Sequence, residues 1–364
     1  MTTYLLAGGG TAGHVNPLLA VADRLRERDP LAEILVLGTR EGLEARLVPD
    51  RGYELLTIDR LPFPRRPNRA ALAFPGRLRR AITEVRAILR DRGVDVVVGF
   101  GGYAAAPAYF AARDEGVALA LHEANAKPGI ANRLGARFTR FVGVAFRGTR
   151  IRGATWVGMP LRPEIERLDR FDARREGIRH FDLAVDKPTL LVTGGSSGAR
   201  RINNTVSQSI TRILGAGWQV IHVTGELRDE VADPGLAGYR VLKYCDRMDL
   251  ALAVADLALS RAGTSTVAEL EALGIPAVFV PYAAGNGEQR FNASGAVAAG
   301  GAVLVADAAF TAPWVASTLV PLLQSRATVA DMAARMSTTG TLDGTDRMIA
   351  LIDAAVAAGP QRAK

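Results

Sequence analysis

Short apolar runs alternate with longer stretches of helical spacing along the whole chain. The runs fall at residues 3–7, 33–37, 53–58, 94–99, 117–121, 140–144 and 154–157 in the first half. In the second half they fall at 189–193, 218–223, 239–243, 256–259, 276–281 and 302–305. Several, such as VDVVVGF and PAVFVPY, are apolar on both sides, as expected of strands covered by helices on both faces. Helical periodicity occupies 16–28, 77–92, 199–214, 264–273 and 288–299, and an alanine-rich tail, 326–358, reads as helix with no further strand. This alternation predicts an α/β fold with parallel, doubly wound sheets. The pattern restarts: after WVGMPLRPEI a charged stretch, 168–187, leads into a second strand–glycine loop–helix unit, TLLVTGGSSGARRINN. Two such domains, joined near residue 160, are expected.

The first unit, LLAGGGTAGHVNPLLAVADRL at 5–25, is the most concentrated. Gly8, Gly9, Gly10 and Gly13 let the backbone turn and approach a ligand closely. Asn16 reads as a cap and Pro17 as the first helical residue. Leu18, Leu19, Ala22 and Leu25 then share one face. Free N–H groups at such a helix start attract phosphate or developing negative charge. His14 stands at the mouth of this turn.

The chain has 364 residues and a net charge of +8, which points to an acidic partner such as nucleotide phosphates, nucleic acid or an anionic membrane face. Cys245 is the single cysteine, so no internal disulfide can form and a reducing compartment is expected. The chain opens on a strand pattern, so no leader is expected. No apolar stretch reaches the roughly 20 residues of a membrane span. No His, Cys or acidic cluster has metal-ligand spacing, so no structural zinc, obligatory metal or cofactor is expected.

Further polar sets follow strand ends. The loop from Gly194 to Asn203 offers backbone amides, Ser196 and Ser197, with Arg200 and Arg201 nearby, and reads either as a phosphate cradle or as a tight turn. In SRAGTSTVAELEALGIP a strand ends at Arg261, Ala262 and Gly263 turn, and Thr264, Ser265 and Thr266 offer a cap. Glu269, one turn on from Ser265, suits a ribose diol or closes a capping box. Glu288, Gln289 and Asn292 head the next helix, suited to sugar hydroxyls or to a solvated first turn. In the first half, GFGGYAAAP brings Tyr103 to a second glycine turn, and LHEANAKPG places His122, Glu123 and Asn125 past a buried strand. His122 by itself equally fits a structural histidine; His180 and His222 receive no role. In residues 60–81, Arg60, Arg65, Arg66, Arg69, Arg77, Arg79 and Arg80 interleave with Leu61, Phe63, Leu72, Phe74 and Leu78. That mixture fits an anionic bilayer surface, a solvated arginine-rich segment or a nucleic-acid patch.

GGGTAGHVNPLLAVA, HEANAKPG, VGMPLRP, GGSSGAR, SRAGTSTVAEL and EQRFNA, in this order over residues 5 to about 300, closely resemble one bacterial family. Its members transfer N-acetylglucosamine from UDP-GlcNAc to undecaprenyl-diphosphate-linked muramyl-pentapeptide, lipid I to lipid II, in peptidoglycan synthesis. The resemblance implies a GT-B fold: two Rossmann-like domains facing a cleft, 1–160 for the lipid acceptor and membrane, 161–342 for UDP-GlcNAc. It also implies a last helix, within 343–364, that returns to the first domain. The protein would lie peripherally on the cytoplasmic face of the cell membrane, touching the anionic inner leaflet through residues 60–81, with no nucleic-acid partner.

The same resemblance places Thr11, Ala12 and Gly13 in a donor-contacting loop, Asn125 on the sugar, and Arg162 and Ser196 on the UDP-sugar. Cys245 would contact uracil through its backbone. Thr264, Ser265, Thr266, Val267, Ala268 and Glu269 would cradle phosphate and ribose, with Glu269 on the ribose and Gln289 on the sugar. Ala124 stands where the family often has glutamine, and Glu288 where neutral or basic residues are common.

For such a transfer the acceptor 4-hydroxyl needs a base, for which His14 is the first candidate and Glu123 the second. Amides of the glycine loops and helix starts would stabilise the departing diphosphate. Displacement from an α-linked donor inverts the anomeric centre. A different GT-B UDP-sugar transferase acting on a glycolipid is the alternative. A dinucleotide-dependent oxidoreductase is weakened because no acid clearly marks the end of the second strand, and no nucleic-acid motif accompanies the charge.

Overall fold

The computed structural model describes every residue except 65–68, 196–197, 226–230, 283–286 and 360–364. The chain divides into two compact units, Met1–Arg162 with Asp343–Lys364, and Pro163–Leu342.

The first unit carries β1 (Thr3–Gly8), α1 (Ala12–Arg28), β2 (Glu33–Gly38), α2 (Glu44–Asp50), β3 (Glu54–Thr57), α3 (Arg69–Asp91), β4 (Val96–Gly101), α4 (Ala105–Glu115), β5 (Ala118–Glu123), α5 (Ile130–Gly135), β6 (Val142–Val144) and β7 (Ala154–Trp156). Its strands pair in parallel in the order β3-β2-β1-β4-β5-β6-β7. Alternate residues feed opposite faces, as strand geometry requires. Tyr4, Leu6, Val96, Val98, Ala118 and Ala120 join one core with Leu18, Ala22 and Leu25 of α1. Leu5, Ala7, Val97, Leu119 and Leu121 join another with Val85 and Leu89 of α3 and the small residues of α4.

The second unit carries α6 (Pro163–Glu166), α7 (Arg170–His180), β8 (Thr189–Thr193), α8 (Arg200–Gly215), β9 (Gln219–Val223), β10 (Tyr239–Leu242), α9 (Met248–Val254), β11 (Ala255–Ser260), α10 (Thr264–Ala272), β12 (Ala277–Phe279), α11 (Glu288–Asn292), α12 (Ser294–Ala299), β13 (Ala302–Leu304), α13 (Ala312–Trp314), α14 (Val320–Gln324) and α15 (Arg326–Met336). Its parallel order is β10-β9-β8-β11-β12-β13. The thirteen apolar runs thus become thirteen strands, within two residues at each end. The last helix, α16 (Gly344–Ala358), belongs to the first unit. Met348, Ile349, Ile352 and Ala355 enter the core shared with α1, and Arg28 pairs with Asp353 at 2.6 Å. Gly344 lies so close to the Met159 backbone that a Cβ there would stand 2.4 Å from its oxygen.

Three local expectations are corrected. α1 begins at Ala12 with Thr11 as cap residue, so Asn16 and Pro17 lie inside it. At this sixth position of the helix the proline forgoes the bond that Gly13 O would have accepted. α10 is capped by Gly263, which puts Thr264, Ser265 and Thr266 inside the first turn rather than at the cap. The expected helix over 288–299 breaks at Ala293 into α11 and α12.

Candidate active site

In each sheet the chain winds outward one way and then restarts beside its first strand, so β1/β4 and β8/β11 are the points where strand order reverses. Loops beyond the carboxyl ends of such strand pairs diverge and leave room for a ligand. Some of the residues singled out in the sequence stand at these two places.

In the first unit, loop 9–11 after β1 meets loop 102–104 after β4. Gly102, at φ +88°, sits so near Gly9 that a Cβ would stand 2.4 Å from its oxygen and 3.0 Å from its nitrogen. The amides of Ala12 and Gly13 open α1, where N–H groups have no intrahelical acceptor. His14 follows, half-buried, with Nδ1 3.1 Å from Gly9 O and 3.4 Å from Thr11 Oγ1. A carbonyl only accepts, so this contact places the proton on Nδ1 and leaves the Nε2 lone pair as a base. Nε2 faces Gly101, where a Cβ would stand 3.2 Å away. Tyr103 is half-buried and accepts from Arg60 Nη2 at 3.4 Å.

His122 and Glu123 are the last residues of β5, not the first of the loop, and both are buried. His122 Nε2 donates to Gly158 O at 3.0 Å, while its Nδ1 has no hydrogen-bond partner; burial depresses its pKa to about 4, so it is neutral. Glu123 accepts from the Asn125 and Gly129 amides and from Asn132 Nδ2, each at 2.9 Å. Burial raises its pKa against the pull of those donors. Its oxygens are thus turned onto its own loop, which orients Asn125 at the loop's start. Arg162 is half-buried at the end of the first unit.

One residue escaped the sequence reading. Glu44, at the start of α2, is fully buried and its carboxylate reaches back to the glycine loop. It accepts from Gly10 N at 2.8 Å, from Thr39 N at 3.0 Å and from Thr39 Oγ1 at 2.8 Å. Gly9, Gly38 and Gly42 close around it: a Cβ on any of them would lie within 2.5 Å of its side chain. The only signal in the sequence is an acid shortly after Gly38 and Gly42, 34 residues from the loop it holds.

In the second unit a cavity of about 1050 Å³ opens at the β8/β11 reversal. It brings together Gly195, Gly198, Arg261, Gly263, Thr266 and Gln289. Ser196 lies outside the described residues. Arg261 donates to Val280 O at 2.9 Å and pairs with Asp307 at 2.6 Å; Asp307 also holds Arg201 at 3.0 Å, so one acid fixes two cations at the rim. Gln289 accepts from Tyr282 N at 2.8 Å through its amide oxygen.

Glu269 is half-buried, and because the cap is Gly263, position N3 is Thr266; the capping-box reading of Glu269 therefore falls. Thr264, Val267 and Ala268 are buried and Ser265 and Glu288 half-buried, none lining the cavity. Cys245 is buried beyond β10, its thiol pushed up to about 11 by burial. His222 is structural: it accepts from Tyr239 OH at 2.7 Å and donates to Asn203 Oδ1 at 3.2 Å. His180 is exposed. Among the described residues no three His, Cys or acidic side chains stand together as metal ligands.

Glu271, also on α10, carries a pH expectation. Burial lifts its carboxyl to about 8, against the pull of the Ala296 amide. A proton held more tightly in the folded state stabilises the fold fully below the unfolded value near 4.5. That contribution falls away as pH rises through about 8, by about 1.4 kcal/mol for each pH unit between the two values. Glu271→Gln should therefore flatten the fall of Tm between pH 5 and 8 and exceed the parent in stability at pH 8. Parallel Tm curves for the two proteins would show that the carboxyl ionises freely.

Residues 4–144 match the glycosyltransferase family 28 N-terminal domain and residues 189–348 the family 28 C-terminal domain. A Leifsonia xyli protein named UDP-N-acetylglucosamine–N-acetylmuramyl-(pentapeptide) pyrophosphoryl-undecaprenol N-acetylglucosamine transferase is 66% identical over 97% of this chain and 98% of its own length. A Paenarthrobacter aurescens protein of the same name is 49% identical over 98% of this chain and 97% of its own. The crystal structure of Acinetobacter baumannii MurG superposes with a TM-score of 0.81 at 28% identity, covering 97% of this chain and 100% of that one. Two parallel α/β units, the two matching family models and these full-length likenesses agree: the chain belongs to the UDP-GlcNAc–muramyl-pentapeptide pyrophosphoryl-undecaprenol N-acetylglucosamine transferases, glycosyltransferases of the GT-B plan.

Proposed function

We propose that this chain transfers N-acetylglucosamine from UDP-GlcNAc to the 4-hydroxyl of muramyl-pentapeptide on undecaprenyl diphosphate, with inversion, converting lipid I to lipid II for peptidoglycan. The observation that carries the reading is His14, whose Nδ1–H is committed to Gly9 O while Nε2 is left to accept a proton. As the 4-hydroxyl oxygen bonds to the anomeric carbon, its proton passes to His14 Nε2. The bond to UDP breaks on the opposite face, and UDP leaves with the electron pair. Glu123 orients the loop that carries Asn125 instead of acting as base, since its oxygens already accept three hydrogen bonds from that loop.

The second unit holds the donor. Amides of the 194–199 loop and of the α10 start, with Thr264, Ser265 and Thr266, meet the diphosphate and stabilise its growing charge. Ser196, Val267, Ala268 and the Cys245 backbone complete the nucleotide contacts, Glu269 takes the ribose diol, and Gln289 with Glu288 faces the sugar. In the first unit Thr11, Ala12, Gly13 and Tyr103 line the base's loop, and Arg162 supplies a cation. The decisive assay is transfer of radiolabel from UDP-GlcNAc to the prenyl-linked muramyl acceptor, with UDP-glucose as competitor. Transfer from UDP-glucose at a comparable rate would assign the chain to another UDP-sugar reaction.

Peripheral attachment to the cytoplasmic leaflet completes the reading. No helix among the described residues is long and apolar enough to cross a membrane. On α3, Leu72 is 84% exposed and shares a helical face with the exposed Arg79 and Arg80. Leu61 is buried, and Phe63 and Phe74 are half-buried with ring centroids 5.2 Å apart, so the apolar contact falls to Leu72. Arg65 and Arg66 lie outside the described residues. Replacing Leu72 by Asn and Arg79 and Arg80 by Ser should weaken binding to anionic vesicles by about 2 kcal/mol, or roughly thirtyfold. Turnover on a soluble short-chain acceptor should be kept. Unchanged partition onto vesicles would leave this face a solvated surface.

A further inference from the structure

We propose that Glu44 is a positioning residue for His14, acting through the single peptide group that joins Gly9 to Gly10. This rests on the reading of His14 as the base. The carboxylate accepts from Gly10 N–H at 2.8 Å, and the carbonyl of the same peptide unit, Gly9 O, lies 3.1 Å from His14 Nδ1. The peptide is trans, so its N–H and C=O point in opposite directions, one to the carboxylate and one to the imidazole.

A carboxylate on the N–H side draws electron density through the amide and makes the carbonyl a stronger acceptor, as hydrogen bonds in a chain reinforce one another. Two consequences follow for His14. The proton is kept on Nδ1, so the lone pair stays on Nε2. The positive charge that develops when Nε2 takes a proton is met by a carbonyl already polarised toward it. A carboxylate bonded directly to a catalytic histidine does the same in hydrolase triads; here one peptide group stands between them.

The enclosure of Glu44 argues for a fixed acceptor over a loose helix-start acid. Among the described residues no Lys, Arg or His side chain pairs with it, and its oxygens are held by Gly10 and by both donors of Thr39. Gly9, Gly38 and Gly42 make the space it fills, since a Cβ on any of them would lie within 2.5 Å of its side chain. Removing one partner of such a network leaves the others unsatisfied, which is why a shape-conserving change is the informative one.

The test is the tautomer of His14, read from the 15N shifts of its ring nitrogens through their couplings to the ring C–H protons in 15N-histidine-labelled full-length protein. The signals are assigned by their loss in His14→Ala. The wild type should show the Nδ1–H form. Glu44→Gln should move the population toward Nε2–H and lower kcat about tenfold to a hundredfold, with the KM for UDP-GlcNAc held. Glu44→Asp, which keeps the charge but withdraws it by one methylene, should move both in the same direction by less. Far-UV circular dichroism and Tm identify which variant keeps the fold. A wild-type His14 protonated at Nε2, or an unmoved tautomer in a folded variant, overturns the relay. Normal turnover in His14→Ala instead overturns the base assignment and leaves the tautomer result to stand alone.

Discussion

His14→Ala is expected to lose a factor of about 10²–10⁴ in kcat while UDP-GlcNAc binding persists. A sugar hydroxyl is a weak nucleophile, and its oxygen must shed a proton as it attacks. In the proposed mechanism that proton passes, in the first unit, to Nε2 of His14, whose other nitrogen contacts Gly9 O at 3.1 Å. The competing histidine of this unit, His122, is buried, neutral and tied to Gly158 O, so it cannot substitute. Glu123 cannot stand in without breaking the loop it holds. The expected signature is a fall in kcat with the dissociation constant for UDP-GlcNAc, measured by calorimetry, within twofold of wild type (about 0.4 kcal/mol). Near-normal turnover would remove His14 from the chemistry.

Gly102→Ala is expected to be nearly as damaging, for a reason that involves no chemistry at the substituted position. The residue combines φ +88° with a would-be Cβ at 2.4 Å from Gly9 O, and the obstacle is backbone. A side chain there costs about 1–3 kcal/mol in strain before any displacement. Relief requires moving the Gly9 loop, which Glu44 holds from behind and on which His14 leans. A shift of about 1 Å at a base can cost about a hundredfold in rate. Tm should fall by roughly 2–10 °C with turnover reduced at least tenfold. Gly76→Ala, at an open position within α3, should by contrast be neutral or slightly stabilising. If Gly102→Ala retained full turnover, the two glycine loops would be independent of each other.

The strands were legible because each is an apolar run bounded by polar or glycine residues, and a doubly covered parallel sheet leaves no other use for such runs. The site loops were legible because the chain restarts its strand–glycine–helix pattern, which marks both reversal points. What misled were short signals competing over one turn. Asn16-Pro17 imitates a helix start, but the preceding residues Ala12 and Gly13 already turn as helix, so the pair lies inside α1. Thr264, Ser265 and Thr266 are stronger capping residues than Gly263, yet the glycine takes the extended cap conformation and the hydroxyl residues fall one to three places inside. His122 and Glu123 looked like loop residues because polar side chains rarely end a buried strand; here carbonyl, amide and carboxamide partners accommodate them. Glu44 was invisible because nothing along the chain records which distant amide a buried carboxylate will find.

The return of α16 to the first unit has a consequence for biogenesis. Residues 1–162 are made before the helix whose Met348, Ile349 and Ile352 seal the layer over α1 and β5. Until residues 344–358 emerge from the ribosome, that layer is an uncovered oily surface on a nascent chain. The order of manufacture is therefore the reverse of the order of completion: the second unit, continuous from 163 to 342, can finish while the first still waits for its lid. Premature termination anywhere before residue 344 would leave the N-terminal layer open to aggregation, however sound the loops that bear His14.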